Sequence, residues 1–69
     1  MQRTAVSSSN VASVGYDPES STLEIEFNNG AIYQYFDVNE NIYSELLSSN
    51  SVGGYLASNI KGKFRFSRV

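Results

Sequence analysis

The last nine residues carry the densest chemistry in the chain. Lys61, Lys63, Arg65 and Arg68 interleave there with Phe64 and Phe66. Cations meet phosphates and aromatic faces stack on bases, so this mixture suits RNA. It also describes an amphipathic edge strand, with Phe64 and Phe66 turned to a core and Lys63 and Arg65 to water. Lysine at such an edge blocks strand-to-strand aggregation. Tyr33 and Tyr35 are a second candidate. A single aromatic can add about 1–3 kcal/mol for each base it stacks on. The plainer reading is that both fill the inner face of a strand, with their hydroxyls reaching the rim.

Other residue types point away from catalysis. Glu24 and Glu26 sit two apart, but paired carboxylates do acid–base work only where a pocket shifts one of them. On a half-exposed strand they are a solvated face. The many serines have no base to activate them. Gly53-Gly54 at a helix start could turn backbone N–H groups toward a phosphate, although turn geometry or close approach of another backbone explains two glycines equally well. The sequence contains no cysteine and no histidine. Disulfides, thiol chemistry and cysteine- or histidine-ligated metals are therefore excluded. An oxygen-only ion site needs clustered carboxylates, and these are scattered. No catalytic residue, metal or cofactor is expected, and the chain reads as a non-enzyme.

Sixty-nine residues make one domain. A chain of this size buries only about 60% of its extended-chain surface, so its stability is modest. No apolar run approaches the roughly 20 residues that span a bilayer. The polar start and the lack of cysteine fit a cytoplasmic location. The net charge of −2 hides a division. Residues 1–60 carry all seven acids against Arg3 alone, which gives −6, whereas residues 61–69 carry +4. Average charge argues against bulk nucleic-acid affinity, and only the end of the chain is an exception.

These side chains need elements to position them. Residues 1–6 read as flexible. Val11 to Tyr16 reads as a strand with Ala12, Val14 and Tyr16 on one face. Asp17-Pro18-Glu19-Ser20 is a turn. Thr22 to Phe27 alternates cleanly, with Leu23, Ile25 and Phe27 inward. Asn28-Asn29-Gly30 leads into a third strand, Ala31 to Phe36. Two registers are open for this hairpin. A two-residue loop pairs Phe27 with Ile32 and puts Tyr33 and Tyr35 outside. A three-residue loop with Gly30 left-handed pairs Phe27 with Ala31 and puts both tyrosines on the core face. The second is favoured, because it sends Gln34 and the glutamates to the same side. One residue of slip would exchange the faces. Asn39 is placed to cap a helix through Ser49, with Ile42/Leu46 and Tyr43/Leu47 as i,i+4 pairs. Ser51 is placed to cap a second helix carrying Tyr55, Leu56 and Ile60, with Gly62 as its stop. The pattern predicts an α+β fold: a three-stranded antiparallel meander, two short helices on one face, and a possible C-terminal fourth strand.

One string of residues runs through these elements. It comprises Val14-Gly15-Tyr16-Asp17, Leu23-x-Ile25-x-Phe27, Gly30, Tyr33-Gln34-Tyr35, Val38, Tyr43-x-x-Leu46-Leu47, Ser51-x-Gly53-x-Tyr55 and Ile60-Lys61. In that order and spacing the sequence resembles the KTSC domain over residues 7–69. The family takes its name from the C-terminal extension of some lysyl-tRNA synthetases and also occurs as small stand-alone bacterial proteins. Asn39 stands where members often carry a proline, which bears only on the helix start. The synthetase context implies an accessory role in RNA binding, to a single-stranded segment or a tRNA. None of the synthetase's catalytic body is covered, so no aminoacylation chemistry is implied. The residues expected to make such contacts are Lys61, Lys63, Phe64, Arg65, Phe66, Arg68, Tyr33 and Tyr35. The alternative is a small protein-interaction module that uses a sheet edge or the rim around Phe64 and Phe66.

Overall fold

The computed structural model describes residues 2–69; Met1 lies outside the described residues. Five strands form one antiparallel sheet: β1 (Arg3–Ala5), β2 (Val11–Asp17), β3 (Thr22–Phe27), β4 (Ile32–Tyr35) and β5 (Phe66–Arg68). Their spatial order is their chain order. Two helices, α1 (Glu40–Ser48) and α2 (Val52–Asn59), intervene between β4 and β5. The α+β class and the central meander match the sequence reading. The strand count is corrected from three, with a possible fourth, to five. The possible fourth strand is β5, which pairs with β4 through Tyr35↔Phe66 and Tyr33↔Arg68.

The additional strand is β1, which falls within residues 1–6, the stretch expected to be flexible; Met1 of that stretch lies outside the described residues. Arg3 pairs with Gly15 and Ala5 with Ser13. Gly15 makes this possible. A Cβ built there would lie 2.6 Å from the Gln2 carbonyl oxygen and 2.9 Å from Arg3 Cγ. Across that bare backbone, Arg3 Nη1 reaches Glu24 Oε2 at 2.8 Å. Gln34 Nε2 donates to the other carboxylate oxygen of Glu24 at 2.9 Å, and Ser13 Oγ donates to Glu26 Oε1 at 2.9 Å. The outer face of the sheet is thus a polar lattice that engages both glutamates.

The hairpin between β3 and β4 has the three-residue loop. Phe27 N–H donates to Ala31 O at 2.8 Å, Gly30 N–H to Phe27 O at 2.9 Å, and Gly30 sits at φ +90°. Ile25 then faces Tyr33 and Leu23 faces Tyr35, so both tyrosines lie on the core face. One detail of β2 departs from simple alternation. A bulge between Val11 and Ser13 shifts the register, so Val11 is buried and Ala12 is displaced from the inward row. An extra residue on one strand of a pair has this effect.

Both helix caps form as their residue types require. Asn39 accepts from Ile42 N–H at 3.1 Å and Ser51 Oγ from Gly54 N–H at 3.0 Å. Leu46 is fully buried, with Ile42 and Tyr43 packed against the core. Leu47, expected on the same stripe, is 42% exposed. A Cβ at Gly53 would meet only ordinary contacts with the side chains of Ser8 and Asn10, whereas one at Gly54 would crowd the capping Ser51 Oγ at 2.9 Å. Val14, Leu23, Ile25, Val38, Leu46, Leu56 and Ile60 form the centre of the core. Fully burying such a side chain is worth about 1.5–3 kcal/mol. Tyr16 stacks on Tyr43 at 5.2 Å and donates its hydroxyl to Val38 O, closing the core beneath α1. No helix of the described residues is long and apolar enough to cross a membrane.

Candidate functional site

The ladder between β4 and β5 creates the site. Because Phe66 pairs with Tyr35 and Arg68 with Tyr33, all four side chains emerge on the helix-bearing face of the sheet. The helices do not reach this edge. What remains is an open groove of about 480 Å³ at the end of the sheet that carries the β3–β4 turn. The loop after α2 supplies its second wall. Lys63 N–H donates to Ile60 O at 3.1 Å and Gly62 takes φ +78°, the geometry of a type II turn, whose third position needs a positive φ. That turn brings Lys61 back over the sheet. Its Nζ lies 5.2 Å from the centre of the Phe27 ring, a cation–π approach.

The groove floor is aromatic. Phe66 lies 5.7 Å from Tyr33 and 5.8 Å from Tyr35, ring centre to ring centre, at tilts near 40°. Tyr33 and Tyr35 are 6.5 Å apart and nearly parallel, and Phe27 meets Tyr33 edge-on at 5.6 Å. Exposure separates their roles. Phe66 is 57% exposed and Tyr33 is half-buried, whereas Tyr35 is only 4% exposed. Tyr33 and Phe66 therefore offer surface to a ligand, and Tyr35 backs the groove. Burial, and then the neighbouring Tyr33, push the Tyr35 phenol above its usual value. At neutral pH it is an uncharged hydroxyl.

The charge around the groove is one-sided. Lys61 and Arg68 line it, and no acidic side chain does among the described residues. Glu24 and Glu26 project from the opposite face of the sheet. Asp17 and Asp37 belong to the other end of the strands. Neither Lys61 nor Arg68 is paired with a carboxylate among the described residues, where the ion pairs are Arg3–Glu24 and Arg65–Asp37.

Of the eight residues singled out in the sequence, the groove gathers five: Tyr33, Tyr35, Lys61, Phe66 and Arg68. The other three lie elsewhere. Phe64 packs half-buried against the core. Arg65 reaches Asp37 at 2.6 Å in an exposed pair and lies 5.8 Å from the Phe36 ring, while its carbonyl accepts from Phe36 N–H at 2.9 Å and joins the entry of β5 to the end of β4. Lys63 is exposed outside the groove. The structure adds Phe27, Asn29, Ala31 and Gly62 to the lining. Phe27 reads in sequence as plain core and Asn29 as plain turn. Only the three-residue loop, which aims both toward this edge, marks them.

A second cleft, of about 270 Å³, is lined mainly by polar residues, with Val52 among them, and lies between residues 7–10 and the start of α2. Ser8 Oγ there accepts from Asn10 and Val11 N–H, and Asn28 Nδ2 donates to Ser9 O. The Ser8 bonds close the loop on itself, and the Asn28 bond ties it to the β3–β4 turn.

An antiparallel meander with two helices inserted before its last strand defines a small α+β domain. A family model described as the KTSC domain matches residues 7–64, and the chain belongs to that family. The matched span ends before β5, so Phe66 and Arg68 lie beyond it. The chain is similar to a KTSC domain protein from Yersinia pestis whose crystal structure superposes with a TM-score of 0.94 at 42% identity, covering 99% of this chain and 96% of that one. An uncharacterized protein of Stutzerimonas stutzeri (strain A1501) is 39% identical over 100% of this chain and 99% of its own length. A lysine–tRNA ligase of Nostoc sp. (strain PCC 7120) is 39% identical over 78% of this chain, which corresponds to 10% of the ligase.

Proposed function

We propose that this domain is an accessory RNA-binding module that takes a single-stranded segment into the β4–β5 groove. The observation that carries the reading is the joining of accessible aromatic faces, Tyr33 and Phe66, to two cations, Lys61 and Arg68, with no acid in the lining. Stacking on aromatic faces and charge on the backbone are the two parts of single-strand recognition. The body of the domain is acidic, so affinity depends on approach from one side. The match to a segment of a lysine–tRNA ligase supports the same reading, since that protein's name makes a tRNA its partner. In this role the domain binds and positions rather than catalyses.

A titration of labelled single-stranded RNA and of a tRNA, followed by fluorescence anisotropy at low salt, tests the proposal. Saturable binding that weakens as salt rises is expected; no binding to either RNA contradicts it.

A second reading rests on β5 itself. It is an edge strand, and Phe66 and Val69 are 57% and 64% exposed. An extended peptide could add to that edge by main-chain pairing. Such a partner would compete with RNA for Phe66, and a domain that captures peptide but ignores RNA would favour it.

A further inference from the structure

We infer that the groove takes a phosphorylated end of single-stranded RNA, a terminal base with its phosphate monoester, in preference to the interior of a strand. The inference rests on the RNA-binding reading and names the part of the RNA that is bound. Its basis is the uneven placement of charge along the groove. Both cations stand at the end nearest the β3–β4 turn. Lys61 Nζ lies over the Phe27 ring, and Phe27 meets Tyr33 edge-on. Arg68 is the cross-strand partner of Tyr33, and the next residue, Val69, donates its N–H to Ile32 O at the start of β4. The two cations therefore adjoin one pair of rings. At the other end the lining is aromatic, Phe66 and Tyr35, with no cation. Beyond that end stands the Asp37 carboxylate, with Arg65 already paired to it.

A nucleotide inside an RNA strand has a phosphate on each side of its base, each a diester with a single charge. A groove for such a segment needs positive charge at both ends. This one concentrates two cations at one end and has a carboxylate past the other. A terminal monoester fits that pattern, because it carries about −1.5 to −2 charge at neutral pH and three acceptor oxygens. Lysine and arginine answer it with donors, and no carboxylate in the lining competes for them. The spacing agrees. Phe66 and Arg68 are two residues apart on one face of β5, which is about 7 Å along a strand. A base stacked on Phe66 thus leaves its own phosphate within reach of Arg68.

Three oligouridines of equal length are titrated into the full chain at fixed low salt: one with a 5′-phosphate, one with a 3′-phosphate and one with hydroxyls at both ends. The two phosphorylated forms distinguish which end the groove takes. At least one of them should bind about tenfold tighter than the hydroxyl form, the size of one added charge-assisted hydrogen bond. A phosphate adds charge wherever it lands, so variants locate the effect. Lys61→Gln with Arg68→Gln should abolish the preference, and Lys63→Gln should keep it; all three side chains are exposed, so none of these changes touches the core. Equal binding of the three oligomers by the native chain, or a preference that survives loss of both cations, overturns the inference while leaving RNA binding in place. Binding of none of the three removes the RNA-binding reading itself, and this inference with it.

Discussion

Phe66, in the last strand, is cross-strand partner to Tyr35 in β4, and their rings lie 5.8 Å apart. One of the pair is 57% exposed and the other 4%. The pair therefore divides the labour of the edge: Tyr35 anchors β4 into the core, and Phe66 carries the surface outward.

That division makes Phe66 more important to ligand than to fold. Phe66→Ala should cost less stability than the about 3–5 kcal/mol of truncating a fully buried phenylalanine, because the ring is 57% exposed. The same change should remove most RNA affinity. Urea denaturation and an anisotropy titration of one preparation check both halves. Loss of stability without loss of binding would show the ring to be structural.

The four cations of the last nine residues should not be equivalent. Lys61 and Arg68 face the groove, whereas Arg65 is tied to Asp37. Each phosphate contact to a single strand contributes about 0.7 to the log–log salt slope, so Lys61→Gln with Arg68→Gln should reduce the slope by about 1.4. Lys63→Gln should leave slope and affinity unchanged. Titrations at several salt concentrations measure this directly.

Gly15→Ala should loosen β1. The new methyl would press on the Gln2 carbonyl and the stem of Arg3. Such crowding costs about 1–3 kcal/mol. Amide hydrogen exchange should show faster exchange in residues 3–5, with the β3–β4 hairpin still protected. Uniform acceleration across the sheet would contradict a local role.

Tyr35 predicts an alkaline limit. Its phenol is pushed above the usual 10.0 by burial first and by Tyr33 second. A raised folded-state value means that folding favours the neutral form. The contribution is whole below pH 10.0 and is lost as pH rises toward and through the raised folded value. Stability of the native chain should therefore fall more steeply above that pH than stability of Tyr35→Phe. Parallel curves would show that the phenol does not sense its burial.

Much of the hairpin geometry was legible in the sequence because composition constrains it. A shared side for Gln34 and Glu24, with Gly30 at the left-handed closing position, favoured the three-residue loop over the two-residue alternative and with it both tyrosines inward. The strand β1 was not legible, because Arg3-Thr4-Ala5 is short, exposed and without apolar periodicity; only the missing side chain of Gly15, on another strand, accommodates it. The bulge at Ala12 left no mark, since neither glycine nor proline accompanies it. In the site, alternation suggested that Phe64 and Phe66 share a role. They differ because the turn at Gly62 ends before Phe64, and regular pairing begins only at Phe66. The Asp37–Arg65 contact spans a separation at which sequence offers no local signal. Its two residues meet only once β5 has docked beside β4.

The most direct test of the central claim is a residue-by-residue map of RNA contact. Single-stranded RNA is titrated at low salt into the isotope-labelled chain, and amide shifts are followed by NMR. The account predicts shifts at Asn29, Tyr33, Lys61, Gly62, Phe66 and Arg68, fading as salt rises, with Arg3, Glu24 and the outer face of the sheet unmoved. An absence of shifts, or shifts centred on the outer face, would contradict it.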